Sequence, residues 1–167
     1  MMKTQTSELR TPGYLNLSNR RPDRPKEEEI MIWAGVIAQL NRTRVNRELS
    51  DTQLPYPLFV LLRHFAHDAN REWTINQLAR AFQTEQPGMS KRVNKLASMK
   101  LLNSRRDAED GRKKWFSLND RGFLLLEKAS AEIRELDKSA FAGWSANEID
   151  NLHSSLFRLK NYLDENR

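Results

Sequence analysis

The stretch Trp73–Leu118 reads WTINQLARAFQTEQPGMSKRVNKLASMKLLNSRRDAEDGRKKWFSL. Two short helical patterns are followed by two strand-like runs around a polar, basic tip. Thr74 with Gln77 three residues on is a capping box, in which hydroxyl and amide side chains satisfy the free N–H groups at a helix start. A helix is expected from there to Phe82, with Leu78, Ala79 and Phe82 sharing one face. The chain restarts at Thr84, a second N-cap residue type, and Glu85 suits the positive end of a helix dipole. Pro87 falls in the first turn, where a missing N–H costs nothing. Met89, Val93, Leu96 and Ala97 then form one apolar stripe, and the opposite face carries Gln86, Ser90, Lys91, Arg92, Asn94 and Lys95. A short helix, a tight turn and a second helix with a cationic, amide-rich face make a helix-turn-helix candidate.

The following residues extend that reading. Leu101–Arg105 is expected as a strand and Lys114–Leu118 as its partner. Asp110-Gly111 between them is a strong hairpin-turn pair, because glycine takes positive φ freely. The product is a two-stranded wing with Arg112 near its tip. Five cations (Arg105, Arg106, Arg112, Lys113 and Lys114) surround the acids Asp107, Glu109 and Asp110. The acids cannot all face phosphate, so some are expected to orient arginines.

In order along the chain, Gln77-Leu78-Ala79, Gln86 to Val93, Leu101-Leu102, Asp107-Ala108-Glu109-Asp110-Gly111-Arg112 and Leu118 to Gly122 resemble the MarR family of winged-helix transcriptional regulators. The resemblance extends over roughly residues 27 to 165. Its distinctive part is Asp-x-x-Asp-Gly-Arg after the second helix. Lys91 departs from the family pattern, where arginine is usual; it keeps the charge and lacks the bidentate fork. The resemblance implies a two-fold dimer held by terminal helices. It also implies that Asp110 positions an arginine of its own subunit.

Length and charge agree with this. The 167 residues carry 38% hydrophobic and 30% charged side chains, with no cysteine. Disulfides, thiolate metal sites and cysteine-based redox sensing are therefore excluded, and with them the oxidant-sensing branch of the family. No apolar run is long enough for a membrane helix, and the N-terminus has no secretory h-region. A cytoplasmic protein is expected. The net charge is +6, but its distribution is uneven: residues 71–118 hold eleven Lys/Arg against five Asp/Glu, and residues 1–26 hold six against two. The remaining segments, 27–70 and 119–167, are each net −2. A local basic surface of this kind is the footprint of a polyanion binder.

Four regions are expected. Residues 1–26 form a polar basic tail punctuated by Pro12, Gly13, Pro22 and Pro25. It reads as a solvated segment, as an arm placing Arg20, Arg21, Arg24 and Lys26 on phosphates, or as a segment docking Tyr14, Leu15 and Leu17 on a partner subunit. Residues 27–70 hold two support helices. One runs from Glu27 to Arg47 with a stripe of Ile30, Trp33, Ile37, Leu40 and Val45. The other is opened by Pro57 and buries Leu58, Leu61, Leu62 and Phe65. Residues 71–118 are the winged helix-turn-helix. Residues 119–167 hold a long helix capped by Asn119 and running to about Trp144, then a last helix started by the capping box Ser145-Ala146-Asn147-Glu148. That last helix repeats Ile149, Leu152, Leu156, Leu159 and Leu163, a 3-4-3-4 heptad seam. Its natural use is a dimer interface, with an intramolecular bundle as the alternative. The expected class is mainly α with a small β-wing, dimerised through the N- and C-terminal helices.

The candidate DNA contacts are Thr84, Gln86, Ser90, Lys91, Arg92, Lys95, Arg106, Asp110, Arg112 and Lys113. Gln86 and Arg92 can read base edges through two-bond contacts, whereas Ser90, Lys91 and Lys95 suit phosphates. The bland reading of the same residues is a solvated helix face. His64 and His67 lie at i, i+3, but no matching ligand motif accompanies them, so a helix surface or satisfied polar contacts are expected rather than a metal site. No nucleotide-binding or nucleophile motif is present, so neither an enzyme nor a cofactor is expected. The resemblance implies a small aromatic or phenolic effector in a crevice lined by Trp33, Ile37, Phe59, Arg63 and His64, which otherwise read as core or helix surface. The expected function is sequence-specific binding of double-stranded DNA, as a homodimeric, ligand-responsive repressor on a pseudo-palindromic operator. The alternative is a winged-helix interaction module for an acidic protein partner.

Overall fold

A computed structural model describes residues 24–68 and 71–166. The readings placed on Tyr14, Leu15, Leu17, Arg20 and Arg21 lie outside those residues. Among the described residues the order is α1 (Lys26–Glu48), a 3-10 turn (Ser50–Thr52), α2 (Tyr56–His67), α3 (Ile75–Ala81), α4 (Gln86–Ser98), β1 (Leu102–Arg106), β2 (Lys114–Leu118), α5 (Asp120–Ala140) and α6 (Ala146–Glu165). This is the expected mainly-α winged helix. The chain divides into two compact units between Leu40 and Asn41.

The N-terminal unit supplies the first part of α1. Its Glu27, Glu28 and Glu29 complement the positive helix end. Arg24 pairs with Glu28 at 3.2 Å across one turn of surface. The stripe Ile30, Trp33, Ile37 and Leu40 is solvent-exposed.

In the second unit, α2 lays Leu58, Leu61, Leu62 and Phe65 into the core as its periodicity requires. These meet Leu78 and Ala79 of α3, Met89, Val93 and Leu96 of α4, Leu101, Leu102 and Phe116 of the wing, and Leu126, Ala129 and Ile133 of α5. Each fully buried leucine or phenylalanine contributes about 1.5–3 kcal/mol by leaving water. The helix starts are built locally. Thr74 Oγ1 accepts from Gln77 N at 3.3 Å while Gln77 Oε1 accepts from Thr74 N at 2.9 Å. Ser145 and Glu148 repeat this arrangement at α6. Asn119 caps α5 by accepting from Gly122 N at 2.9 Å. Arg44 Nη2 donates to Leu136 O at 2.9 Å, tying the end of α1 to the last turns of α5.

Several boundaries differ from expectation. The N-cap of α4 is Glu85, without a side-chain cap bond, rather than Thr84. Strand β1 begins at Leu102, one residue late, because Leu101 N still donates to Leu96 O at 3.1 Å and closes α4. With Lys100 N bonded to Ala97 O at 2.9 Å, this is a Schellman ending with Lys100 at φ +58°. The α3–α4 turn ends the same way, with Gln83 at φ +48°. Gln53, after the 3-10 turn, is at φ +54°. A side chain in this left-handed region costs about 1–2 kcal/mol relative to the right-handed one. Helix α5 stops at Ala140, capped by Phe141 and short of Trp144. Gly143 takes φ +87° in the turn to α6.

The wing turn is also a correction. Gly111 does not adopt positive φ, so Asp110-Gly111 is not a primed hairpin turn. Asp107 Oδ1 instead accepts from Glu109 N and Asp110 N, at 3.0 and 3.1 Å, and Asp110 Oδ1 accepts from Arg112 N at 3.0 Å. Lys113 N donates to Asp110 O at 2.9 Å, closing a β-turn centred on Gly111 and Arg112, and the two carboxylates brace it.

Candidate nucleic-acid interface

The wing is a two-stranded antiparallel ribbon with Arg105 opposite Trp115 and Arg106 opposite Lys114. Its base is wider than expected. Trp73 N donates to Phe116 O at 2.8 Å and Phe116 N to Trp73 O at 2.9 Å, so the residue before the α3 cap pairs with β2. Glu72 next to it accepts from Arg105 Nε at 2.8 Å. Those bonds hold the Glu72 carboxyl below the ordinary carboxylate range. The lead-in to α3 and the wing are therefore tied together at Glu72 and Trp73.

One acid organises the tip. Trp115 Nε1 donates to Asp107 Oδ2 at 2.6 Å, and Lys113 Nζ lies 3.6 Å from the same oxygen. Lys113 Nζ also sits 4.4 Å from the Trp115 ring centroid, and the Arg105 guanidinium 5.6 Å from it. The indole bond foremost, then the Glu109 and Asp110 amides, with help from Lys113, pushes the Asp107 carboxyl down to about 2. A depressed carboxyl contributes stability that is full above its unfolded value of 3.8 and is lost as pH falls through the folded value of about 2. Asp107→Asn is therefore expected to flatten the fall of Tm between about pH 4 and pH 2. A parent and variant whose acid limbs coincide would remove Asp107 from the wing's acid stability.

Two acids of this region each hold an arginine. Asp110 bonds the Arg112 backbone rather than its guanidinium, whereas Glu72 holds Arg105. Arg106 and Arg112 remain exposed, without an ion pair among the described residues.

Helix α4 presents Gln86, Lys91 and Lys95 to solvent, with Ser90 and Arg92 half-buried beside them. Asn94 Nδ2 donates to Ser90 Oγ at 3.4 Å along this face. Thr84 is half-buried ahead of the cap. An open cleft of about 360 Å³ brings Gln86 at the α4 start together with Asp110, Arg112, Lys113 and Lys114 of the wing. Thr74, Ile75 and Asn76 at the α3 start complete it. Asn76 and Lys114 were not among the expected contacts. Lys114 was legible as one of the wing cations; Asn76 enters only because the Trp73–Phe116 pairing brings the α3 start to the wing.

The other candidates are more scattered. Trp33 and Ile37 are exposed on α1. On α2, Phe59 is buried, and the Arg63 guanidinium stands 5.7 Å from its ring. His64 lies 4.6 Å from the Trp73 ring and 5.1 Å from that of Phe82, centroid to centroid. Burial first, then the nearby His67 and Arg71, lowers its pKa and favours the neutral ring. On α6, Ile149, Leu156 and Leu163 are exposed, Leu152 and Leu159 are half-buried, and no residue of the helix is buried. Among the described residues no group of three or more His, Asp or Glu side chains could hold a metal ion, and no helix is long and apolar enough to cross a membrane.

A helix-turn-helix followed by a two-stranded wing, with long helices before and after it, is the winged-helix fold of MarR-type regulators. Solved structures with this fold include S. aureus MepR in complex with DNA, at 19% identity and TM-score 0.68 over 79% of this chain and 96% of that one. Wild-type apo MarR from E. coli gives 16% and 0.67 over 82% and 98%. The transcriptional regulator BldR from Sulfolobus solfataricus gives 20% and 0.65 over 80% and 96%. No protein-family model matches the chain, and no curated protein matches it in sequence.

Proposed function

We propose that this protein is a transcriptional regulator that binds double-stranded DNA as a homodimer on a pseudo-palindromic operator and acts as a ligand-responsive repressor. The observation carrying the reading is the basic cleft in which Gln86 of α4 meets Arg112, Lys113 and Lys114 of the wing. A helix N-terminus flanked by such a wing suits a major groove with its adjoining minor groove. In this reading Gln86 and Arg92 face base edges. Thr84, Ser90, Lys91, Lys95, Arg106 and Lys113 contact phosphates, and Arg112 enters the minor groove. Asp110 acts by holding the Arg112 backbone. MepR, which has this fold, is solved as a DNA complex.

The dimer reading is supported by the heptad seam of α6, which stays unburied within the chain. An exposed row of Ile149, Leu156 and Leu163 favours a helical partner with the same seam. The proposed effector is a small aromatic or phenolic acid, with Arg63 neutralising its carboxylate. A Tm screen with aromatic acids at millimolar concentration is expected to find a stabilising ligand; a flat screen removes the effector from the proposal.

The deciding experiment is selection of bound duplexes from a randomised pool at near-physiological salt. The expected product is a palindrome with half-sites about ten base pairs apart, centre to centre. Binding without sequence preference that disappears at moderate salt would leave only a basic surface and turn the search to an acidic protein partner.

A further inference from the structure

A second cleft, of about 650 Å³, lies where the 3-10 turn, the end of α4 and the first turn of α5 converge. It shares no lining residue with the wing cleft. Lys95, Lys100 and Arg121 line it, against one acid, Asp51. None of the three cations forms an ion pair among the described residues. The Ser98 and Thr52 hydroxyls on its wall are engaged with the Lys95 and Leu49 carbonyls. Gln53 adds an exposed amide side chain.

Helix endings fix two of the lining residues. Three non-glycine residues among those described have positive φ, and two of them, Gln53 and Lys100, line this cleft. At the Lys100 position a Schellman ending favours glycine. The Lys100 backbone is used on both sides, its N–H by Ala97 O at 2.9 Å and its carbonyl by Asn119 Nδ2 at 3.1 Å, and its side chain is exposed at the cleft. The left-handed turn sets the lysine on the cleft wall with Arg121, and neither cation has an ion-pair partner among the described residues.

We propose that this cleft is an oxyanion site for a phosphoryl- or carboxylate-bearing group, with Lys100 and Arg121 as its main charge partners and Lys95 as a third. Lys95 also lies on the face of α4 assigned to DNA, so occupancy would withdraw a cation from that face; this coupling, unlike the site itself, rests on the DNA-binding reading. The anion can be a free small molecule or a phosphate of a bound duplex, and the two sources are separable.

The test uses the full chain, titrated calorimetrically with inorganic pyrophosphate at fixed ionic strength. Lys100→Gly removes the cation and relieves the left-handed strain, so its Tm is expected to rise and misfolding cannot account for lost binding. Pyrophosphate affinity is expected to fall about tenfold or more in Lys100→Gly and in Arg121→Gln, while Lys128→Gln, an exposed cation elsewhere on α5, binds like the parent. The salt slope for a non-specific duplex then identifies the source. A slope smaller by about 1 in Lys100→Gly assigns the site to a duplex phosphate; an unchanged slope with lost pyrophosphate binding assigns it to a free anion. Pyrophosphate binding with no measurable duplex binding would reject the DNA reading and keep the site. Equal pyrophosphate affinity in parent and both variants overturns the proposal. So does a parent that binds none at millimolar concentration while the duplex slope is also unchanged by Lys100→Gly.

Discussion

Arg112→Ala is expected to weaken binding to the selected duplex by about 10- to 100-fold, about 1–3 kcal/mol, with fold and oligomeric state unchanged. The side chain is exposed at the wing tip and makes no ion pair among the described residues, so its removal breaks nothing inside the chain. Its backbone is held independently, through Asp110 Oδ1 at 3.0 Å. The loss should be concentrated in the cognate duplex. A guanidinium in a narrow minor groove gains from the enhanced negative potential there, and a scrambled duplex offers that groove less well. Fluorescence anisotropy with cognate and scrambled duplexes measures the difference, and circular dichroism with light scattering checks the fold and the oligomeric state. Asp110→Ala extends the test. It deletes a negative charge, so simple electrostatics predicts tighter binding, whereas release of the Arg112 amide predicts weaker binding. Tighter binding would show that the wing works as a charge and not as a positioned finger. An Arg112→Ala protein with parental affinity would take the wing out of recognition altogether.

Gly122→Ala is expected to destabilise the protein by about 1–3 kcal/mol, with Tm falling by about 2–4 °C for each kcal/mol at this chain length. Gly122 sits in the first turn of α5 under the base of the wing. A Cβ there would overlap the Leu101 carbonyl oxygen, and would lie 2.7 Å from Leu118 Cδ1 and 3.2 Å from the Leu101 carbonyl carbon. Leu118 could turn aside, but the Leu101 carbonyl is backbone and accepts from Asn119 N at 3.3 Å. Relief therefore requires α5 to move away from the wing base, loosening the Asn119 cap and the packing of Leu126 beneath it. Gly111→Ala is the matched control. Its Cβ meets nothing within 4 Å and its backbone is not left-handed, so Tm should stay near the parent's. Equal Tm values for all three proteins would mean that α5 shifts without cost, and that its contact with the Leu101 strand lead-in is loose.

The helix starts at Thr74, Asn119 and Ser145 were legible because each is made by groups three residues apart, with no need for a tertiary partner. The same holds for the apolar stripes of α2 and α4, where period alone selects the buried face. The helix stops were less legible. Gln83 and Lys100 occupy left-handed positions where glycine is the usual signal, and Gly111, which looked like such a signal, occupies none. Composition and order of residues thus determined the winged helix-turn-helix and its basic character. The strand register brought the Trp115 indole to Asp107, eight residues away, and Glu72 to Arg105 across 33. Chain closure brought Asn76 to the wing and Lys100 to Arg121. A local pattern specifies partners within one turn or one hairpin. Partners from distant segments meet only after the core has fixed how helices and wing pack, and both clefts are made from such partners.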